Sequence, residues 1–125
     1  RPFSEPETRA LVALNKVFPP TVAYLLHAKG RYVTWAKGRQ RVRVAAQQLA
    51  RLLQQRTGQP HNIVEKSPHS NIRRTHADHF HIVENITAFT VEIGTSFAAQ
   101  GAVRNFASEA RFAAMAICDH AKLYD

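Results

Sequence analysis

Glu92 has the surroundings in this 125-residue sequence that most clearly suggest chemistry. It ends an apolar run that starts at Ile86 and is closed by Gly94, and such a run is typical of a β-strand. Successive side chains of a strand face opposite ways, so Glu92 shares a face with Thr90, while the other face holds Phe89, Val91 and Ile93. A carboxylate ending a strand inside a sheet needs a cationic partner, a water-filled cleft or a catalytic role. The strand alone leaves a salt bridge and general acid–base chemistry both open.

His27 is a second residue placed for chemistry. It follows residues 21–26, an apolar run that we predict to be a strand buried on both faces. Open α/β sheets place their sites at the carboxyl ends of strands, and a neutral imidazole is a good zinc ligand. The alternative for His27 is a hydrogen-bonded histidine inside the core.

The densest group of potential metal ligands comprises His76, Asp78, His79 and His81. It resembles part of the His-x-His-x-Asp-His motif of hydrolases with the metallo-β-lactamase fold. Arg74 stands where that motif has its first His, the following Gly-Gly turn is missing, and no suitable distant His and Asp set is evident. We therefore expect Asp78 to be structural and the His residues to line or flank a substrate loop.

The whole chain has a net charge of +8, and its positive charge is concentrated in the first half. No acidic residue lies between Glu7 and Glu65, and a short segment within this gap carries Lys29, Arg31, Lys37, Arg39, Arg41 and Arg43. Such a field attracts polyanions and carboxylate ligands, although a solvated surface has the same composition. No nucleic-acid recognition motif or aromatic stacking platform is present, which counts against specific nucleic-acid binding.

The composition predicts one globular domain, because 45% of the residues are hydrophobic and 21% are charged. No apolar run approaches the ~18 residues of a membrane-spanning helix, so we expect no membrane span. The single Cys118 excludes an internal disulfide. The sequence opens without Met, and we expect a fragment or a mature chain cut from something longer.

The first predicted helix begins near Ser4, which can cap it, with Glu7 reaching back as in a capping box. The helix should end before Pro19. Its predicted apolar stripe consists of Leu11, Leu14 and Val17.

Further elements follow from periodicity and turn residues. We predict a strand at residues 31–35, a helix at 39–56 or 40–56, and a helix at 101–120. Residues 59–74 are predicted to be mostly loop, with a short strand at 62–64 as an alternative, and residues 76–83 form a helix or an irregular turn. The resulting order, α, β, β, α, β, α, indicates the α/β class, and a sheet of three strands would need further strands to be complete.

The two long helices should each bury one face. For the helix that begins near residue 40, this face comprises Val42, Ala45, Leu49, Leu52 and Leu53. For the last helix, it comprises Val103, Phe106, Ala110, Ala113, Ala114 and Ile117.

Three landmarks give the chain a resemblance to the zinc metallocarboxypeptidases. The run Phe3-Ser-Glu-Pro-Glu-Thr-Arg-Ala-Leu11 resembles the segment that opens the helix leading to the family's third zinc ligand. Leu25-Leu26-His27-Ala28-Lys29-Gly30 and then Arg31-Tyr-Val-Thr-Trp35 are similar to the family's Leu-His-Ser-Tyr-Gly-like run and its strand closing in Tyr-Pro-Trp. Phe89-Thr-Val-Glu92 is similar to the strand of the form Phe-Thr-x-Glu that carries the catalytic carboxylate.

The resemblance implies a mixed-sheet, three-layer α/β domain of which residues 1–125 are the C-terminal half. The family's His-x-x-Glu pair, which supplies two zinc ligands, and the Asn-Arg and Arg residues that bind the substrate's terminal carboxylate have no counterpart here. The implied activity is zinc-dependent hydrolysis of a peptide or amide bond, with His27 as one zinc ligand and Glu92 as general base. A complementary N-terminal half would supply the other ligands, and the isolated chain is expected to be inactive. A secreted or periplasmic location is implied by the family alone.

The family's mobile substrate loop is matched less closely. Asp78 fits the Asp that precedes the catalytic strand, but the loop Tyr expected eight residues earlier falls on Ser70. No Tyr lies between Tyr32 and Tyr124, and His69 is a candidate to replace it.

Substrate choice in this family is set one residue before that Asp, which corresponds to Ala77. The neighbouring Arg73 and Arg74 would favour acidic substrates, and Lys29 stands where the family often has Tyr. The alternative function is that of a carboxypeptidase-like module without catalysis, which binds polyanions through its basic face.

Overall fold

The structure, a computed structural model, describes residues 4–28, 30–36, 40–66, 80, 84–94 and 100–124. The side chains at positions 36, 40, 66 and 100–105 lie outside this description. The described helices are α1 (Pro6–Val17), α2 (Gln40–Thr57) and α3 (Gln100–Ala121), with a short 3-10 helix at Lys122–Tyr124. The described strands are β1 (Val22–His27), β2 (Tyr32–Ala36), β3 (Asn62–Lys66) and β4 (Thr87–Glu92).

The four strands form one mixed sheet in the order β1-β4-β2-β3. β4 runs parallel to β1 and antiparallel to β2, and β2 runs parallel to β3. Helix α2 makes the crossover that joins the parallel strands β2 and β3. The α/β class is therefore confirmed, and the short strand considered at residues 62–64 is present as β3.

Helices α2 and α3 cover one face of the sheet and form the main core with it. The predicted apolar face of α2 is confirmed, with Leu49 and Leu53 fully buried. Burial of each such Leu contributes about 1.5–3 kcal/mol. Helix α3 buries Ala113 and Ala116, whereas Ala114, which we expected in its buried face, is exposed. A rotation of about 100° per residue turns that position towards solvent.

Helix α1 does not begin with the predicted capping box. Its N-cap residue is Glu5, which makes no side-chain cap hydrogen bond, so the predicted Ser4 cap is wrong. The Ser4 hydroxyl donates instead to the Glu5 carboxylate at 3.3 Å. Pro6 in the first turn removes one amide that would need a partner. The predicted end is confirmed, since the last helical residue is Val17.

The apolar stripe of α1 is exposed in the described structure, contrary to the prediction. Exposure reaches 53% at Leu14 and 68% at Val17, and it is 38% at Leu11. The buried residue of this helix is Asn15, whose side-chain amide donates to Glu84 Oε2 at 3.2 Å. Helix α1 thus attaches through a polar contact, which its apolar periodicity did not indicate. Within the described ranges, no helix has the length and apolar character that crossing a membrane requires.

Candidate active site

His27 and Glu92 lie side by side at the carboxyl ends of two adjacent parallel strands. They are register partners, His27 ending β1 and Glu92 ending β4. On the other side of β4, Glu92 is the register partner of Tyr32, which begins β2. Partners in register project from the same face of a sheet. His27, Glu92 and Tyr32 therefore form a row across three neighbouring strands, which we call the strand-end row.

The alternation predicted for the Glu92 strand explains which face this row occupies. Phe89 and Val91 are fully buried in the main core against α2 and α3. Ala88 lies on the other face, in a smaller cluster with Phe80 and Ile86. The strand-end row therefore projects away from the two long helices.

Backbone contacts just beyond the strand ends hold the row in place. The amide of Ile93 donates to the carbonyl of His27 at 3.0 Å, and the amide of Gly30 donates to the carbonyl of Gly94 at 2.7 Å. A Cβ atom added to Gly30 would lie 2.6 Å from Tyr32 Cε1 and 3.3 Å from Glu92 Cβ. The φ angle of Gly30 is +152°, which disfavours larger residues as well. Gly30 lets the backbone pass directly over the row.

Two polar atoms on this face are buried without a hydrogen-bond partner among the described residues. They are Glu92 Oε2 and Thr34 Oγ1. Thr34 lies two residues beyond Tyr32 on β2 and is the register partner of Thr90. A buried polar atom left unpaired costs about 1–3 kcal/mol. Both atoms thus need a partner from outside the described residues, such as water, a ligand or another segment.

Tyr32 supplies a hydrogen-bond donor on the strand next to the carboxylate. Burial, and then the negative charge of Glu92, raise the pKa of the Tyr32 hydroxyl. The hydroxyl therefore keeps its proton at neutral pH and can donate a hydrogen bond. The Glu92 carboxylate can thus accept a proton on the same face of the sheet where the Tyr32 hydroxyl can donate a hydrogen bond.

The remaining predicted site residues fall outside the described part of the chain. These are the substrate-loop residues Lys29, His69, Arg73, Arg74 and Ala77, and the cluster His76, Asp78, His79 and His81.

The described residues do not complete a zinc site. No group of three or more His, Cys, Asp or Glu side chains among them could hold a metal ion. A catalytic zinc takes three protein ligands, and the strand-end row offers the exposed imidazole of His27 and the carboxylate of Glu92. A zinc site at this position would therefore need further ligands from outside the described residues.

Tyr32 and Thr34 were missed as site residues in the sequence. The alternation of β2 would have placed them opposite Val33 and Trp35, on the less apolar face. Which strand β2 faces, and in which register, depends on contacts between distant segments.

No protein-family model matches the sequence, and no curated protein matches it either.

Proposed function

We propose that this chain forms part of a hydrolase of the zinc carboxypeptidase type, which cleaves a peptide or amide bond. The observation that carries the proposal is the register of His27 with Glu92 at the ends of adjacent parallel strands. In that arrangement an imidazole and a carboxylate lie at the same end of two neighbouring strands, which agrees with the roles that the resemblance to the metallocarboxypeptidases implies for them. A mixed α/β sheet is compatible with the C-terminal half of such a domain.

In this proposal, Glu92 is the general base. Its Oε2 atom has no hydrogen-bond partner among the described residues, and in this proposal it accepts a proton from a water molecule that attacks the scissile carbonyl. The same carboxyl group then passes the proton to the leaving amine. The Tyr32 hydroxyl, which remains protonated, donates a hydrogen bond that orients either the carboxylate or the substrate.

His27 is the residue of this chain that would hold the metal. Zinc, when bound, supplies a Lewis acid that polarises the carbonyl group under attack. We assign the remaining ligands to a complementary N-terminal half. The chain by itself should accordingly bind zinc weakly and hydrolyse no peptide.

The direct test uses the zinc-loaded complete protein and short peptides with blocked amino termini. Glu92→Gln should lower kcat by about 10²–10⁴-fold, the usual contribution of a general base, while the zinc content stays the same. Glu65→Gln is the matched control, because Glu65 is exposed on β3 and away from the row. Turnover that survives in Glu92→Gln would contradict the assignment.

The exposed face of α2 favours a second candidate function, the binding of polyanions without catalysis. Arg41, Arg43, Arg51 and Arg56 are all exposed on this helix. Binding of a polyanion such as polyphosphate should weaken steeply as salt rises, because counterions are released on binding. Peptide hydrolysis should depend on salt far less, so a salt titration separates the two functions.

A further inference from the structure

A cleft of about 530 Å³ lies on the helix-covered side of the sheet, between the carboxyl end of α2 and α3. The polar residues that line it include Arg31, Gln55, Arg56, Gln59, Ser108 and Glu109. Arg31 directly precedes Tyr32, so their side chains lie on opposite faces, and the Arg31 side chain donates to Glu109 of α3. The cleft therefore opens on the face opposite the strand-end row. None of its residues takes part in the proposed hydrolysis.

Two guanidinium groups in the cleft are each oriented by a carboxylate. Arg31 donates from Nε and Nη2 to the two oxygens of Glu109, at 3.1 and 3.2 Å. Arg56 donates from Nε and Nη2 to Asp119 Oδ2, at 2.9 and 2.7 Å. Paired contacts of this kind fix the plane of the guanidinium. Within the described residues, these bonds leave Nη1 of both side chains available to a further acceptor.

The negative charge of Glu109 is compensated within the protein. The carboxylate is 8% exposed and accepts a third hydrogen bond from the amide of Gly94 at 3.2 Å. Burial alone would raise its pKa, but the hydrogen bonds from Arg31 and Gly94 lower the pKa overall. Glu109 is therefore an ionised anchor for Arg31. Because the carboxylate offsets the charge of that guanidinium, Arg31 brings oriented N–H donors to the cleft rather than net positive charge.

A buried histidine adds an unpaired polar atom behind Arg31. His61 precedes Asn62, whose amide donates to the carbonyl of Arg31 at 2.9 Å. The Nδ1 atom of His61 lies 3.0 Å from the carbonyl of Gln59 and must donate to it, which leaves Nε2 as an acceptor. This Nε2 atom is buried and has no partner among the described residues. His61 does not itself line the cleft, so an anion bound there would contact Arg31 rather than this ring.

We propose that this cleft is a binding site for a small anion that carries a phosphate or carboxylate group. Two pre-oriented guanidinium groups can donate hydrogen bonds to the oxygens of a planar carboxylate or a tetrahedral phosphate. The Ser108 hydroxyl adds a neutral donor. The site is distinct from the strand-end row, so it stands whether or not the chain belongs to a hydrolase.

Calorimetric titration of the chain with inorganic phosphate and, separately, with succinate tests the site at low and constant ionic strength. Saturable binding of either anion at one site is expected, and the tighter ligand identifies the preferred group. Arg56→Gln should weaken binding by about tenfold, the loss expected for one charge-assisted contact. Ser108→Ala, a change at an exposed position that leaves both ion pairs intact, should weaken binding by a few fold.

Arg51→Gln is the matched control, because it removes the same charge from an exposed position of α2 that does not line the cleft. It should change Kd by less than about twofold, since exposed charges act only through a screened field. Equal weakening by Arg51→Gln and Arg56→Gln would mean that a diffuse field attracts the anion and would overturn the proposal. The absence of saturation by both anions up to about 10 mM would overturn it as well.

Discussion

The ring of His120 is completely buried between the hydroxyl of Tyr24 and the carbonyl of Ala45. The Ala45 oxygen can only accept, so His120 Nε2, 2.8 Å away, carries the proton. Its Nδ1 therefore accepts a hydrogen bond from the Tyr24 hydroxyl. Through a neutral imidazole, these two hydrogen bonds join α3 to β1 and to α2.

Stability should fall as the solution is acidified, because this imidazole is held neutral. Burial lowers the pKa of His120 below its ordinary value of 6.5, and it lowers the pKa of His61 as well. Below pH 6.5 the unfolded chain binds protons that the folded chain does not bind, so the free energy of unfolding decreases as the pH falls. The contribution is complete above pH 6.5 and is lost as pH falls from there through the folded-state pKa.

Urea unfolding between pH 8 and pH 5 measures this effect. His120→Gln keeps an amide donor for Ala45 but cannot titrate, so its midpoint should fall less steeply with pH than that of the unmodified chain. A pH dependence identical in the two proteins would show that His120 is not responsible.

His27 should be needed for zinc affinity in the complete protein. In the proposed function His27 is a direct ligand, so replacing it with Ala should lower affinity by more than the roughly 10–100-fold typical of losing an outer-shell partner. Equilibrium dialysis of the loaded protein provides the measurement. Cys118→Ser is the useful comparison, because this exposed thiol could bind zinc adventitiously. Unchanged affinity in His27→Ala would remove His27 from the metal site.

Glu109 should matter more for stability than Asp119, although both pair with an Arg. Removing one partner of a buried ion pair costs about 3–5 kcal/mol, and the 28% exposure of Arg31 reduces this to about 2–3 kcal/mol for Glu109→Gln. The Arg56–Asp119 pair is more exposed, so Asp119→Asn should cost less than about 1 kcal/mol. Urea unfolding gives both values, and equal losses would contradict the difference in burial.

Substituting two glycines with positive φ distinguishes the cost of backbone strain from the cost of a steric clash. Gly94 has φ +75°, and an added Cβ would lie 2.7 Å from Phe106 Cδ2. Gly58 has φ +68°, and nothing lies within 4 Å of its added Cβ. Gly58→Ala should therefore cost about 1 kcal/mol from strain alone, and Gly94→Ala about 2–4 kcal/mol. Thermal unfolding of the two variants checks the order, and equal losses would show that Phe106 moves aside freely.

The sequence by itself determined the features that depend on neighbouring residues. The alternation around Glu92 placed Phe89 and Val91 together on the opposite face, which the structure buries, and the 3.6-residue period of α2 identified Leu49 and Leu53 as buried. These are local consequences of backbone geometry, since the direction of each side chain follows from its place in the strand or helix.

Tertiary structure decided which distant segments meet. Parallel pairing brought His27 beside Glu92, antiparallel pairing brought Tyr32 to its other side, and the fold buried Glu109 against Arg31. The same long-range packing left the apolar stripe of α1 exposed. Hydrophobic periodicity shows that a face can be buried, but strand order and register follow from the packing energy of the whole chain, which no short window of sequence contains.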